Sequence, residues 1–279
     1  MEDVRLVGID IDGTLLDSRG EISAATHREL ERLHRRGVLL VLVTGRRFHT
    51  ASQVAAKLRV PVLLAVHNGA ALRERDGTYL YADLLPEREA RIACRVGQEN
   101  GAFAWVYQDD EDGSTTRIYC EPRDRAPDGL EAYIGRYFDA NPGFITVLDD
   151  LSREFVGATL EVMLTTPQEN GDAVIAAATE ALDGRARVIE ERSRGICHIE
   201  VAHPRVSKAR PLAFLAAKHG IPREAILAVG DNYNDLDMLE YAGHAVVMGN
   251  AHLPLHGYGY RVTATNDDDG LAQVLAEIG

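Results

Sequence analysis

Leu6-Val7-Gly8-Ile9-Asp10-Ile11-Asp12-Gly13-Thr14 is an apolar run that ends in two carboxylates one residue apart, followed at once by a glycine. A short apolar run bounded by turn signals reads as a buried strand, here Leu6 to Ile11. Placing Asp10 and Asp12 at its carboxyl end puts negative charge where desolvation is expensive unless a cation offsets it. Two further apolar runs follow, Val38 to Val43 and Val62 to Val66. Helical patterns separate the three: Ser23 to Arg36, with Leu30 and Leu33 on one face and Gly37 as its stop, then Thr50 to Leu58. Strands that are apolar throughout are covered on both faces, so this βαβαβ order predicts a parallel sheet with right-handed crossovers. The three strands end in Asp10-Ile11-Asp12-Gly13-Thr14, Thr44-Gly45-Arg46 and His67-Asn68-Gly69. Ligands of open α/β sheets bind at the carboxyl ends of the strands, so these segments can converge on one site.

Beyond Asn68 the rhythm changes. Ala70 to Tyr81 reads as a hairpin about Asp76-Gly77, and Leu84 to Glu190 mixes strands such as Phe103 to Tyr107 and Leu160 to Leu164 with helices over 87–100, 126–139 and 168–182. This segment lacks polar strand ends of the first kind. It reads as an α+β domain inserted into the first, with Asp109 to Ser114 as an acidic turn. The first rhythm resumes near Ile196, with a helix over Ser207 to His219 and a strand over Ile226 to Val229 that ends in Gly230-Asp231-Asn232-Tyr233-Asn234-Asp235. A helix bearing Leu236 and Leu239, a strand over Ala245 to Val247 and a last helix near Leu271 to Ile278 complete the pattern. The expected division is a core of 1–82 and 192–279 and an insert of 83–191.

The 279 residues suffice for one large or two ordinary domains, and the composition is that of a globular protein with no apolar run of bilayer length. The amino terminus, Met1-Glu2-Asp3-Val4-Arg5, has no basic start and leads straight to Asp10, unlike a signal peptide, so cytoplasmic residence is expected. A net charge of −13 disfavours nucleic acid and anionic membranes as partners. It leaves room for a small anion, because a bound metal ion reverses the field inside one pocket. Cys94, Cys120 and Cys197 have neither a CxxC spacing nor disulfide-scaffold density and read as buried thiols.

A cluster of oxygen ligands favours magnesium, with Asp231 as the further carboxylate beside Asp10 and Asp12. Phosphate monoesters hydrolyse so slowly unaided that positioning and charge neutralisation must both contribute. In such a reaction Asp10 is the nucleophile, and Asp12 protonates the leaving oxygen and then activates water. Thr44 can donate its hydroxyl to a phosphoryl oxygen, and Lys208 can supply a fixed positive charge. Singly these residues say little: a strand-end Asp is commonly a turn or cap, Thr-Gly a turn, and Lys208, Arg46 and Arg47 solvated charges. Their order on a parallel-sheet pattern gives them weight.

Asp10-Ile11-Asp12-Gly13-Thr14-Leu15-Leu16, Thr44-Gly45-Arg46, Lys208 and Gly230-Asp231-Asn232-Tyr233-Asn234-Asp235 resemble, in order, the four motifs of the haloacid dehalogenase superfamily. Asn68-Gly69-Ala70 and Met248-Gly249-Asn250-Ala251 further resemble its Cof-type sugar-phosphatase branch, which carries a class IIB cap. The resemblance implies a Rossmann-like parallel-sheet core with an inserted α+β cap that selects the substrate. It also implies Mg2+ held by Asp10, the Asp12 carbonyl and Asp231. Thr44 and Lys208 would hold the phosphoryl group, Gly45, Arg46, Asn68, Gly69 and Asn234 would line the substrate, and Asp235 would orient Lys208 or a metal-bound water. The implied activity is phosphatase action on a small phosphorylated metabolite such as a sugar phosphate, through an aspartyl-phosphate, by a monomer or homodimer. Leu253 to Tyr260 departs from the pattern, standing where the family has a helix.

A hexose phosphomutase using the same aspartate pair is an alternative reading. A receiver-like phospho-acceptor fits poorly, since its acceptor carboxylate sits on the third strand, where this chain has His67-Asn68-Gly69. Among the remaining polar residues, His198 reads as a strand histidine, His67 as a pocket border, and His252 and His256 as loop residues. Asp267-Asp268-Asp269 reads as the cap of the last helix, and Trp105 and Tyr107 as core of the insert.

Overall fold

A computed structural model of the chain describes residues 1, 3–110, 116–251 and 253–279. Its strands are β1 Leu6–Ile9, β2 Leu39–Val43, β3 Leu63–Val66, β4 Ala71–Arg73, β5 Tyr79–Ala82, β6 Phe103–Asp109, β7 Thr116–Cys120, β8 Ile145–Val147, β9 Glu161–Pro167, β10 Arg187–Ser193, β11 Ile196–Ala202, β12 Ile226–Gly230, β13 His244–Val247 and β14 Arg261–Val262. The helices are α1 Ala24–Arg35, α2 Phe48–Lys57, α3 Glu87–Glu99, α4 Glu131–Ala140, α5 Leu151–Glu154, α6 Gly171–Leu182, α7 Ala209–His219, α8 Leu236–Tyr241, α9 Leu253–His256 and α10 Gly270–Ala276. They form two compact units, Met1–Tyr81 with Ser207–Gly279, and Ala82–Val206.

The first unit is built on an eight-stranded sheet in the order β14-β13-β12-β1-β2-β3-β4-β5. At its centre β1 pairs in parallel with both β12 and β2, setting Leu6 against Ile226 and Leu39. Every residue of β1 and β12 is buried, as the run of apolar side chains requires. The sheet order breaks at β1, whose carboxyl end lies between those of β12 and β2. This is the switch point at which such sheets bind ligands. Helix α1 begins at Ser23, whose hydroxyl oxygen accepts the Thr26 N–H at 3.0 Å, and buries Leu30 and Leu33. On its other flank Arg32 donates to the carbonyls of Leu275 and Ile278, satisfying backbone oxygens at the end of α10.

The second unit has a six-stranded sheet in the order β10-β11-β9-β6-β7-β8, antiparallel apart from the β7–β8 pair. One face packs on α3 and α6 through Ala90, Ala93, Leu164, Val174, Ala178 and Ile199. The opposite face carries an aromatic cluster in which Trp105, donating its indole N–H to Thr165, meets Tyr137 and Phe138. Cys94, Cys120 and Cys197 are buried and unoxidised, and burial pushes the Cys120 thiol up to about 12.

Several details differ from the sequence expectations. The chain re-enters the first unit at Ser207 rather than 192, because β10 and β11 pair with each other and with β9 across the whole of their lengths. The helix expected over 126–139 starts only at Glu131, after the turn containing Pro127 and Gly129. Leu253 to His256 is one helical turn, where an irregular backbone was expected. The three aspartates do not cap α10 with their side chains: Asp267 accepts the N–H of Ser18, Asp268 accepts the Thr265 hydroxyl, and Asp269 makes no side-chain capping bond. The expected acidic turn falls largely on 111–115, outside the described residues, as does His252. Among the described residues no helix is long and apolar enough to cross a membrane.

Candidate active site

The motif segments meet at the carboxyl ends of β1, β2, β3 and β12, all within the first unit. Asp10 follows the last residue of β1 and is 5% exposed, its N–H bonded to the Val229 carbonyl of β12 at 3.1 Å. Lys208 immediately precedes α7, and its buried Nζ donates to Asp10 Oδ1 and Asp235 Oδ1, each at 2.6 Å. Asp235 is fully buried, and its other oxygen accepts the N–H groups of Asp231 and Asn232, each at 2.9 Å. It is therefore a buttress that fixes both the ammonium and the loop carrying Asp231.

Asp231 stands on the far side of this loop and accepts the Thr14 hydroxyl at 2.9 Å. Gly13 lets the two motifs approach this closely: at φ +82 a Cβ there would lie 2.4 Å from Asp231 Oδ2. Carboxylate oxygens of Asp10, Asp231 and Asp235 all fall within 4.8 Å of one another. Three acids around one ammonium leave an excess of buried negative charge, and its mark is on the titration of the group. Burial first, then Asp235, pushes Asp231 up to about 7, against the pull of Thr14 and Lys208. Burial likewise raises Asp10, outweighing Lys208 with help from Asp235 and Asp231. Burial alone would lower Lys208, but Asp10 and Asp235 hold it above its ordinary value. An all-oxygen donor set carrying surplus charge suits a hard divalent cation.

The remaining predicted residues sort into two groups. Thr44, buried at the end of β2, accepts the Arg46 N–H at its hydroxyl oxygen at 3.1 Å. Its carbonyl accepts the N–H of Asn68 at 3.0 Å, which ties the β2 and β3 turns together. Asn68 adopts φ +50, and its side-chain oxygen receives the Asn234 amide at 3.3 Å. Gly45 packs on the Asn68 amide, and Gly69 passes Ser207 so closely that a Cβ would sit 2.2 Å from its carbonyl oxygen. Asp12 and Arg46 are placed differently. Arg46 grips the Asp12 carboxylate with both edges of a fork, Nε to Oδ2 at 2.7 Å and a terminal nitrogen to Oδ1 at 2.5 Å. Asp12 thus lies outside the cluster formed by Asp10, Asp231 and Asp235, and its side chain faces the Arg46 guanidinium.

Two contributors escaped the sequence reading. Thr14 anchors Asp231, and Asn250 donates to the Gly13 carbonyl at 2.8 Å while accepting the Asn266 N–H at 2.9 Å. Both lie inside the Asp-Gly-Thr and Met-Gly-Asn-Ala motifs, which are the signal the sequence offers for them. His67 is buried at the β3 end, and His198 lies on β11 with Thr165 Oγ1 and Tyr133 OH each 3.3 Å from its ring nitrogens.

The sequence pattern of haloacid dehalogenase-like hydrolases matches residues 7–275. The 5-amino-6-(5-phospho-D-ribitylamino)uracil phosphatase YitU of Bacillus subtilis (strain 168) is 29% identical over 276 residues, 98% of this chain and 96% of that one. The HMP-PP phosphatase of Cronobacter sakazakii is 28% identical over 263 residues, covering 91% and 90%. A crystal structure of a haloacid dehalogenase-like hydrolase from Bacteroides thetaiotaomicron superposes with a TM-score of 0.79 at 26% identity, covering 98% of both chains. With the four motifs gathered at one end of the sheet, the chain belongs to the haloacid dehalogenase-like hydrolases, in their Cof-type branch, and is a phosphoric monoester hydrolase.

Proposed function

We propose that the chain is a magnesium-dependent phosphatase that transfers the phosphoryl group of a small metabolite to Asp10 and then to water. The observation that carries this reading is the buried Asp10–Lys208–Asp235 chain beside Asp231: three carboxylates with oxygens within 4.8 Å of one another, two of them sharing one buried ammonium. Asp10, Asp231 and the backbone carbonyl of Asp12 would hold the ion, which when bound neutralises charge on the nucleophile and the phosphoryl oxygens.

The protein groups account for the rest of the reaction. Asp10 attacks phosphorus as the bond to the leaving oxygen breaks, and Asp12 gives that oxygen its proton. Asp12, now a carboxylate, takes a proton from a water whose oxygen attacks the acyl-phosphate, releasing inorganic phosphate and restoring Asp10. Thr44 and Lys208 donate to the phosphoryl oxygens throughout, so positioning and charge supply most of the acceleration. The inserted unit, residues 82–206, is the part proposed to select the leaving group. The curated relatives act, by name, on a phosphorylated ribitylamino pyrimidine and on HMP-PP, and a sugar phosphate or comparable small phosphoester is the substrate class proposed here.

Phosphate release from an aryl phosphate is the direct test. Excess EDTA should reduce it to background and added magnesium should restore it; release undiminished by EDTA removes the metal from the scheme. A second readout needs no turnover. The folded protein holds protons on Asp10 and Asp231 to a higher pH than the unfolded chain does. Stability from Asp231 is complete below the unfolded carboxylate value of about 4 and is lost as pH rises through about 7, and Asp10 acts in the same direction. Without metal, the melting temperature should therefore fall between about pH 5 and pH 8, and magnesium should raise it much more at the upper end. A magnesium shift equal at both ends would contradict the assignment.

A further inference from the structure

We propose that Arg46 is the positioning residue for proton transfer: its guanidinium fork fixes the carboxylate of Asp12 and thereby governs both expulsion of poor leaving groups and attack by water. This rests on the roles of Asp10 and Asp12 given above.

The backbone around Asp12 is already held. Leu15 and Leu16 donate to the carbonyls of Asp10 and Ile11 at 3.2 and 3.0 Å, and Asn250 holds the Gly13 carbonyl. What these bonds leave undetermined is the direction of the Asp12 side chain. Arg46 sets it, through two bonds to both oxygens. The fork itself stands on a fixed base. Its N–H is held by the Thr44 hydroxyl oxygen and its carbonyl by the N–H of His67 at 3.1 Å, so the guanidinium is anchored to the turn that carries the phosphoryl-binding threonine. The side chains are 30% and 59% exposed, a setting in which an ion pair adds little to stability, so geometry is what the pairing supplies. A guanidinium edge that is engaged by a carboxylate does not present that edge to a substrate phosphate, which separates this role from the substrate contact expected from the motif.

Leaving groups distinguish the two. Nitrophenolate departs without a proton, whereas an alkoxide must receive one from Asp12 as the phosphorus–oxygen bond breaks. With 4-nitrophenyl phosphate, Arg46→Ala should release one equivalent of nitrophenolate at near the wild-type rate. Turnover should then slow by roughly 10²-fold, because water attack on the phospho-enzyme still needs Asp12. With an alkyl phosphate the first step should slow as well, by a similar factor, while KM changes little. Asp12→Asn should show the same pattern, Arg46→Lys an intermediate one, and millimolar guanidinium should restore turnover to Arg46→Ala. Equal losses on both substrates with a raised KM would make Arg46 a phosphate ligand, and unchanged kinetics would give it no part; either result overturns the proposal. Failure of the underlying reading looks different: acid-quenched Asp12→Asn, after turnover of 4-nitrophenyl phosphate, would then carry no phosphate on Asp10.

Discussion

Asp10→Asn should leave a folded protein whose phosphate release falls by roughly 10⁴- to 10⁶-fold, the scale seen when a covalent nucleophile is deleted from a catalytic set. The amide has the shape of the carboxylate and keeps an oxygen for Lys208, but it cannot form the acyl-phosphate. Stability should move the other way. Burial raises the titration of Asp10, so the fold holds this group more readily as the neutral acid than as the carboxylate. The asparagine variant should therefore melt at or above the wild-type temperature when no divalent ion is present. It should also gain less on addition of magnesium, having lost one of the proposed ligands. Near wild-type turnover would remove Asp10 as nucleophile. A large drop in melting temperature would show instead that the Asp10–Lys208 pair is structural before it is chemical.

The parts of the site that could be read from the sequence are those fixed by backbone topology. Four apolar strands running into Asp10, Thr44, Asn68 and Asp231 bring those residues together once the strands are parallel and adjacent, whatever the side chains then do. Side-chain direction past a strand end follows no such rule. Asp12 lies two residues beyond Asp10, after the pleat has given way to a turn at Gly13, so its pairing with Arg46 follows from local torsions that periodicity does not encode. Long-range anchoring was equally hidden: Asp267 reads as a helix cap because capping is local, yet it serves Ser18. The return of the chain to the core at Ser207 rather than 192 has a sequence signal of its own. In β11, Cys197, Ile199 and Val201 alternate with His198 and Glu200, the mark of an antiparallel strand and unlike the unbroken apolar runs of the core.

Lys208→Met should be the most damaging single substitution for stability and should also cost roughly 10²- to 10³-fold in turnover, the usual price of one lost electrostatic donor to a reacting oxyanion. The ammonium is 2% exposed and bridges two carboxylates. Methionine fills the space but leaves Asp10 and Asp235 facing each other without a cation. Breaking a buried pair from one side typically destabilises by about 3–5 kcal/mol, a melting point lower by roughly 6–20 °C in a protein of this size. Protonation offers partial relief, because Asp10 already holds its proton more tightly than an exposed acid. The deficit should therefore be smaller near pH 5 than near pH 8. The same logic makes Asp10→Asn a suppressor: with the facing charge gone, the double variant should melt higher than Lys208→Met alone, which a double-mutant cycle would record as strong coupling. Strictly additive melting shifts would mean that the two groups do not share their charge, and the buried chain from Asp10 through Lys208 to Asp235 would lose its electrostatic meaning.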